Sequence, residues 1–152
     1  MNKSMELVIG VDLGATTVKT GVVRSDGRIL YQNRFPTRAD EGPEAVIHQI
    51  VVSVEDATAH ADGAPIGGLG LGSPGVVDDQ GVVKAPPNMA NWDEVPLRAM
   101  LSEVFAFPIA VENDANAAAI AESRFGAGRE HKNFLFVIWG TGVGGGIILD
   151  RK

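Results

Sequence analysis

Cysteine is absent from all 152 residues, and the three histidines, His48, His60 and His131, show no ligand spacing. That excludes a disulfide framework and a thiolate zinc site in this stretch, and it suits a reducing, cytoplasmic setting. Basic charge is in deficit: 13 Lys and Arg face 19 Asp and Glu, a formal net charge of −6. Nonspecific nucleic-acid binding needs a basic face, so that class of partner is disfavoured. Long apolar runs are missing as well. Nothing approaches the ~18 consecutive apolar residues of a membrane span. The opening MNKSMELVIG carries one lysine, and Asp12 interrupts its apolar run before a signal peptide could form. What the chain has in quantity is glycine, 19 residues gathered in three places, within a 45% hydrophobic composition. That fits one globular domain with a real core and several tight backbone turns.

Three apolar runs come first, at Glu6–Val11, Thr17–Val23 and Arg28–Phe35. The turn Ser25-Asp26-Gly27 separates the last two, which predicts an antiparallel meander. After Gly42-Pro43 the spacing of Val46, Ile47, Ile50, Val51 and Val54 is helical, and the segment stops near Ala61-Asp62-Gly63-Ala64-Pro65. A strand is predicted at Ile66–Leu71, then a loop at Gly72-Ser73-Pro74-Gly75. A small hairpin follows, with Val76-Val77 and Val82-Val83 around Asp78-Asp79-Gln80-Gly81. Pro86-Pro87-Asn88 can be neither helix nor central strand. Pro96–Phe105 reads as a short helix, Pro108–Glu112 as a buried strand and Ala115–Phe125 as an alanine-rich helix closed by Gly126-Ala127-Gly128. Asn133–Trp139 and Gly145–Leu149 read as two further strands. The order predicts an α/β fold, a mixed sheet covered by helices on both faces. The last strand pair looks like the start of a second copy of the pattern, which implies that the chain is a fragment of a longer protein.

Four places could carry chemistry. In Gly10-Val11-Asp12-Leu13-Gly14-Ala15-Thr16-Thr17-Val18-Lys19, a strand delivers Asp12 to its end and Gly14 turns the backbone tightly. Hydroxyls and backbone N–H groups then form an anion-binding concavity. A carboxylate there would repel phosphate unless Mg²⁺, bound through one or two carboxylates and phosphate oxygens, came between them. The plainer alternative is a β-hairpin with glycine at its turn. Gly140 to Gly145 repeats the strand–turn–strand form, with Thr141 as hydroxyl donor. Both it and Gly70 to Gly75 match G-x-G-x-x-G, but strand-like residues follow each, and a dinucleotide fingerprint needs a helix there.

Val111-Glu112-Asn113-Asp114-Ala115-Asn116 crowds polar side chains at a strand-to-helix junction. One of them suffices as an N-cap, and Asp114 itself could be that cap. The surplus points to ligand binding at the carboxyl end of the sheet. Asn88, held by two prolines, offers an amide that donates and accepts at once, which suits a sugar hydroxyl. Trp92 stacks on a sugar or, more in keeping with burial trends, fills loop core. Asp78-Asp79 and Asp40-Glu41 read as solvated turn charges.

Taken together and in this order, these segments resemble the ROK family (repressors, open reading frames, kinases), and within it the bacterial glucokinase group. The matching residues are Gly10-Val11-Asp12-Leu13-Gly14-Ala15-Thr16, Gly72-Ser73-Pro74-Gly75-Val76-Val77-Asp78, Ala85-Pro86-Pro87-Asn88 with Asn91-Trp92, Val111 through Ala119, and Gly140 through Gly146. The resemblance covers nearly the whole chain but about the first half of a family member. It implies an actin-like ATPase, ribonuclease-H-like lobe with a five-stranded mixed sheet at 1–127, and the truncated start of an ATP-binding lobe at 128–152. It implies ATP-dependent phosphorylation of a hexose, with ATP and Mg²⁺ as cofactors, in a cytoplasmic homo-oligomer. Asp114 would be the catalytic base. Gly75, Asn88 and Asn113 would bind sugar with it. Asp12, Gly14, Ala15, Thr16, Lys19, Gly140, Thr141 and Gly142 would hold phosphate, with Mg²⁺ at Asp12. The family's later acidic and histidine sugar ligands, its Cys/His zinc site and most of its ATP-binding lobe are absent from this stretch. Trp139 stands where the family usually has a smaller aliphatic residue. Two rival readings remain. One is a sugar-responsive regulator, for whose N-terminal helix-turn-helix a first strand beginning within six residues leaves no room. The other is a noncatalytic fragment that binds sugar weakly.

Overall fold

A computed structural model describes residues 6–139 and 143–152. Strands β1 (Leu7–Leu13), β2 (Thr17–Arg24) and β3 (Ile29–Pro36) form the expected antiparallel meander. Side chains alternate across a strand. Leu7, Ile9, Val11 and Leu13 are therefore buried on one face, while Val8, Gly10 and Asp12 fall on the other.

Helix α1 (Pro43–Ala59) starts with proline in its first turn, where a missing N–H costs nothing. Its Val46, Ile50, Val54 and Ala57 join the buried residues of β1 and β2 in the main core. A polar seam crosses that interface. Thr20 and Ser53 hydroxyls are 2.8 Å apart, and Asn33 Nδ2 donates to the Ser53 carbonyl and to Asp56. The Tyr31 hydroxyl also donates to Asp56. The Asn33 and Tyr31 donors hold the Asp56 carboxyl below the usual carboxylate range, while Asp56 pushes the Tyr31 phenol up. His60 stacks on Tyr31, with ring centroids 3.9 Å apart.

Strand β4 (Ile66–Ser73) leads into a ribbon of β5 (Val76–Val77), β6 (Val83–Lys84) and β7 (Glu94–Val95). Two-residue β7 is too short to show any periodicity, and nothing in the sequence predicts it. Asp78 is more than a solvated turn charge. Its Oδ1 accepts from the backbone N–H groups of Val82 and Gln80, and Lys84 lies beside it. Those partners, the Val82 N–H foremost, hold its carboxyl below the ordinary range. Trp92 is loop core: it is buried, and its Nε1 donates to the Val83 carbonyl at 3.1 Å.

Helix α2 (Leu97–Val104), strand β8 (Ile109–Asn113), helix α3 (Asp114–Phe125), and strands β9 (Phe134–Trp139) and β10 (Val143–Ile148) complete the order. The main sheet has five strands in the order β3-β2-β1-β4-β8, with β4 and β8 parallel to β1. Helix α1 covers one face and meets α2, which leans on β8. Helix α3 lies on the opposite face, where a Cβ on Gly72 would be 3.4 Å from the Asp114 Cα and 3.6 Å from the Ala117 Cβ.

Strands β9 and β10 form a separate antiparallel pair that leans on α3. A Cβ on Gly146 would fall 2.5 Å from the Ala119 Cβ, so glycine is what lets β10 lie against α3. The outward side chains of the pair, Leu135, Val137, Trp139, Val143 and Ile147, are exposed. Among the described residues no helix is long and apolar enough to cross a membrane.

Candidate functional site at the carboxyl ends of the parallel strands

The sheet register brings three separate stretches of sequence to one place. Asp12 on β1 pairs with Gly72 on β4, and Gly72 pairs with Glu112 on β8. Parallel strands put like ends together, so the Asp12 turn, the Ser73–Gly75 loop and the start of α3 share one end of the sheet. A cavity of about 910 Å³ runs from there along the α3 face of the sheet; Asp12, Lys19, Glu112 and Asp114 line its near end, and Val23, Ile29, Ala121 and Arg124 line the far end.

The first turn is tight. Gly14 N–H donates to the Thr17 carbonyl at 3.0 Å. The antiparallel register sets Lys19 opposite Asp12, and Lys19 Nζ lies 2.8 Å from Asp12 Oδ2. Both side chains are about half exposed, so the pair adds little stability. Its interest lies in the charge it places at the cavity. Asp12 gives one carboxylate, and among the described residues no group of three or more His, Cys, Asp or Glu is placed to hold a metal ion. That donor set fits Mg²⁺, which keeps its waters and takes phosphate oxygens to complete its shell. It does not fit an all-protein metal cage.

The start of α3 resolves the capping ambiguity. Asn113 is the N-cap: its Oδ1 accepts from the Ala115 N–H at 3.0 Å and the Asn116 N–H at 3.2 Å. Asn113 Nδ2 donates to the Gly75 carbonyl at 3.0 Å. Asp114 is thereby released from capping. It occupies the first helical position with an exposed side chain, and its Oδ1 accepts the next residue's N–H. Glu112 and Asn116, surplus polar residues in the sequence, brace this turn. Glu112 Oε1 accepts from Asn113 N–H and from Asn116 Nδ2.

Gly75 has φ +89, and a Cβ there would lie 2.8 Å from the Lys84 carbonyl oxygen and 2.9 Å from the Pro86 Cα. Gly75→Ala should therefore destabilise the chain by at least about 2 kcal/mol, from left-handed strain plus a backbone clash. For a protein of this length that lowers the thermal midpoint by at least about 4–8 °C, measurable by circular dichroism. An unchanged midpoint would show that the turn has room to move.

Asn88 is exposed, with φ 64, and it lines a second recess of about 460 Å³ together with Ala15, Thr16, Pro36, Arg38, Ala39 and Asp40. The amide is thus next to the first turn. Arg38, also left-handed at φ 59, is paired with Glu41. The second glycine turn, Gly140, Thr141 and Gly142, lies outside the described residues. The segment after it is strand β10, so no helix follows to receive a dinucleotide pyrophosphate. Thr37 is a residue of this site that the sequence did not signal. It is fully buried, and it bonds the first turn twice, through its hydroxyl to the Gly14 carbonyl and its N–H to the Thr16 carbonyl.

The family model for ROK proteins matches residues 8–152. The chain belongs to the ROK family. It is 41% identical over 149 residues to a glucokinase of Streptomyces coelicolor, covering 97% of this chain and 45% of that protein. It is also 32% identical over 155 residues to a putative xylose repressor of Caldicellulosiruptor, covering all of this chain and 39% of that protein. The ROK family glucokinase from Streptomyces griseus in complex with glucose and AMPPNP superposes with a TM-score of 0.87 at 39% identity, over 96% of this chain and 45% of that one. The fold is thus the actin-like ATPase fold of ROK glucokinases. The chain spans about half the length of the curated relatives it matches.

Proposed function

We propose that the whole protein transfers a phosphoryl group from ATP to a hexose hydroxyl, with Asp114 as the general base. The observation that carries this is the division of labour at α3. Asn113 caps the helix, and the neighbouring carboxylate stays exposed at the cavity that also holds Asp12. Phosphoryl transfer asks for positioning, charge neutralisation and a base within reach of the attacking hydroxyl. Asp114 takes the hydroxyl proton as the oxygen attacks. Asn88 and the Gly75 turn orient the sugar. Both acceptor sites of Asn113 Oδ1 and one of its two amide protons are already engaged, so Asn113 can donate one hydrogen bond to a sugar and accept none. The Gly14–Thr16 turn takes phosphate through the Ala15 N–H and the Thr16 hydroxyl, the Gly14 N–H being already bonded to the Thr17 carbonyl, with Gly140, Thr141 and Gly142 as their counterpart. Asp12 would hold Mg²⁺, which would supply neutralisation of the phosphate charge, and Lys19 adds a cation beside it.

In this reading 1–127 is the sugar lobe and 128–152 opens the nucleotide lobe of a cytoplasmic enzyme that assembles as a homo-oligomer. The similarity to a repressor supports a second reading, sugar-responsive regulation without transfer. A coupled ADP-release assay of the whole protein against glucose, fructose, mannose and N-acetylated hexoses separates the two. Sugar-dependent ADP formation is the expected result. Sugar binding with no ADP from any hexose would move the assignment to the regulator.

A further inference from the structure

We propose that Thr37 is the positioning residue of the first phosphate turn, fixing which way its backbone N–H groups point; the role rests on the reading of that turn as a phosphate site. Thr37 follows β3 and has no exposed surface. A buried hydroxyl must find a partner, and Thr37 Oγ1 donates to the Gly14 carbonyl at 2.6 Å. Its N–H donates to the Thr16 carbonyl at 3.0 Å. Two alternate peptide planes of the turn are therefore held by one residue. In a trans peptide the C=O and the following N–H point in opposite directions. With the Gly14 and Thr16 carbonyls turned toward Thr37, the Ala15 and Thr17 N–H groups point away from it. Backbone N–H groups aimed outward from a turn contribute to an anion-binding concavity. The Thr16 plane follows the β2–β3 register, which sets Thr16 opposite Thr37. The Gly14 plane is held by the Thr37 hydroxyl instead; without that bond it could flip and present a carbonyl, which would repel phosphate.

The same segment reaches the sugar side. Two residues on from Thr37, the Ala39 carbonyl accepts from the Ala90 N–H at 2.8 Å. Residues 37–39 thus tie the phosphate turn to the loop that carries Asn88. Arg38 between them accepts a left-handed conformation, a local strain that the bonds on either side hold in place.

The test uses the whole protein, with magnesium tripolyphosphate in excess as the probe and ³¹P NMR as the readout. Thr37→Val keeps the shape and removes the donor, whereas Thr37→Ser keeps the donor. Thr37→Val should weaken tripolyphosphate binding about three- to tenfold, the effect of losing one ordinary hydrogen bond. Thr37→Ser should restore binding. Thermal midpoints are recorded for each variant, and affinity is measured well below them. Thr37→Val with a lowered midpoint and parental affinity would overturn the positioning role and leave the phosphate reading standing. A parent protein that fails to bind tripolyphosphate would remove the phosphate reading of the turn, and the role of Thr37 with it.

Discussion

Asp114→Asn in the whole protein should lower hexose-dependent turnover by at least about 100-fold, the loss typical of a missing general base, with little change in hexose affinity. The substitution is nearly isosteric and leaves the helix start intact, because Asn113 supplies the cap. Asparagine can still hydrogen-bond a sugar hydroxyl, but it cannot take its proton. The expected signature is therefore a fall in kcat with a steady KM for sugar, the pattern of an interaction made in the transition state alone. Near-normal turnover would reduce Asp114 to an ordinary first-turn acid, whose Oδ1 contact with the Ala115 N–H would then be its whole role.

Much of this site can be read in the sequence, because its parts are local. Alternation along Leu7–Leu13 puts Asp12 on the open face at the end of β1, and the glycine at position 14 marks the turn. The polar surplus after Val111 marks the strand-to-helix junction. Which residue caps α3 is a different matter. Asn and Asp are nearly equal as caps, so composition leaves the choice open. The Gly75 carbonyl, 38 positions away in sequence, engages the Asn113 amide and is part of what sets Asn113 in the capping position. Thr37 was invisible for the same kind of reason. Its partners are 21 and 23 positions away, and a lone threonine after a strand carries no signal of its own. Asp78 shows the opposite case: a charge that looks merely solvated in sequence turns out to order its own turn.

The 152-residue chain alone is expected to show no sugar-dependent ADP formation and to self-associate as its concentration rises. The reason lies in β9 and β10. They pair only with each other among the described residues, so the ribbon they form has free edges. Their exposed side chains include Leu135, Val137, Trp139, Val143 and Ile147, with Trp139 at 86% exposure. Unpaired edges recruit other strands, and an apolar patch of this kind needs a cover. In the relatives it matches, the chain accounts for 45% of the glucokinase length, so more than half of such a protein lies beyond what these residues can build. A kinase site also needs closure, to exclude water and to align the γ-phosphate with the attacking oxygen. On the proposed reading, the part bearing Asp114 and Asp12 would hold ligands weakly without enclosing them. Sedimentation velocity across a concentration series, with the coupled assay run on the same samples, tests both halves of the expectation. A monomer at every concentration would show that the ribbon folds its apolar face away. Turnover within the ~1–100 s⁻¹ usual for kinases would show that the catalytic centre is complete without a second lobe.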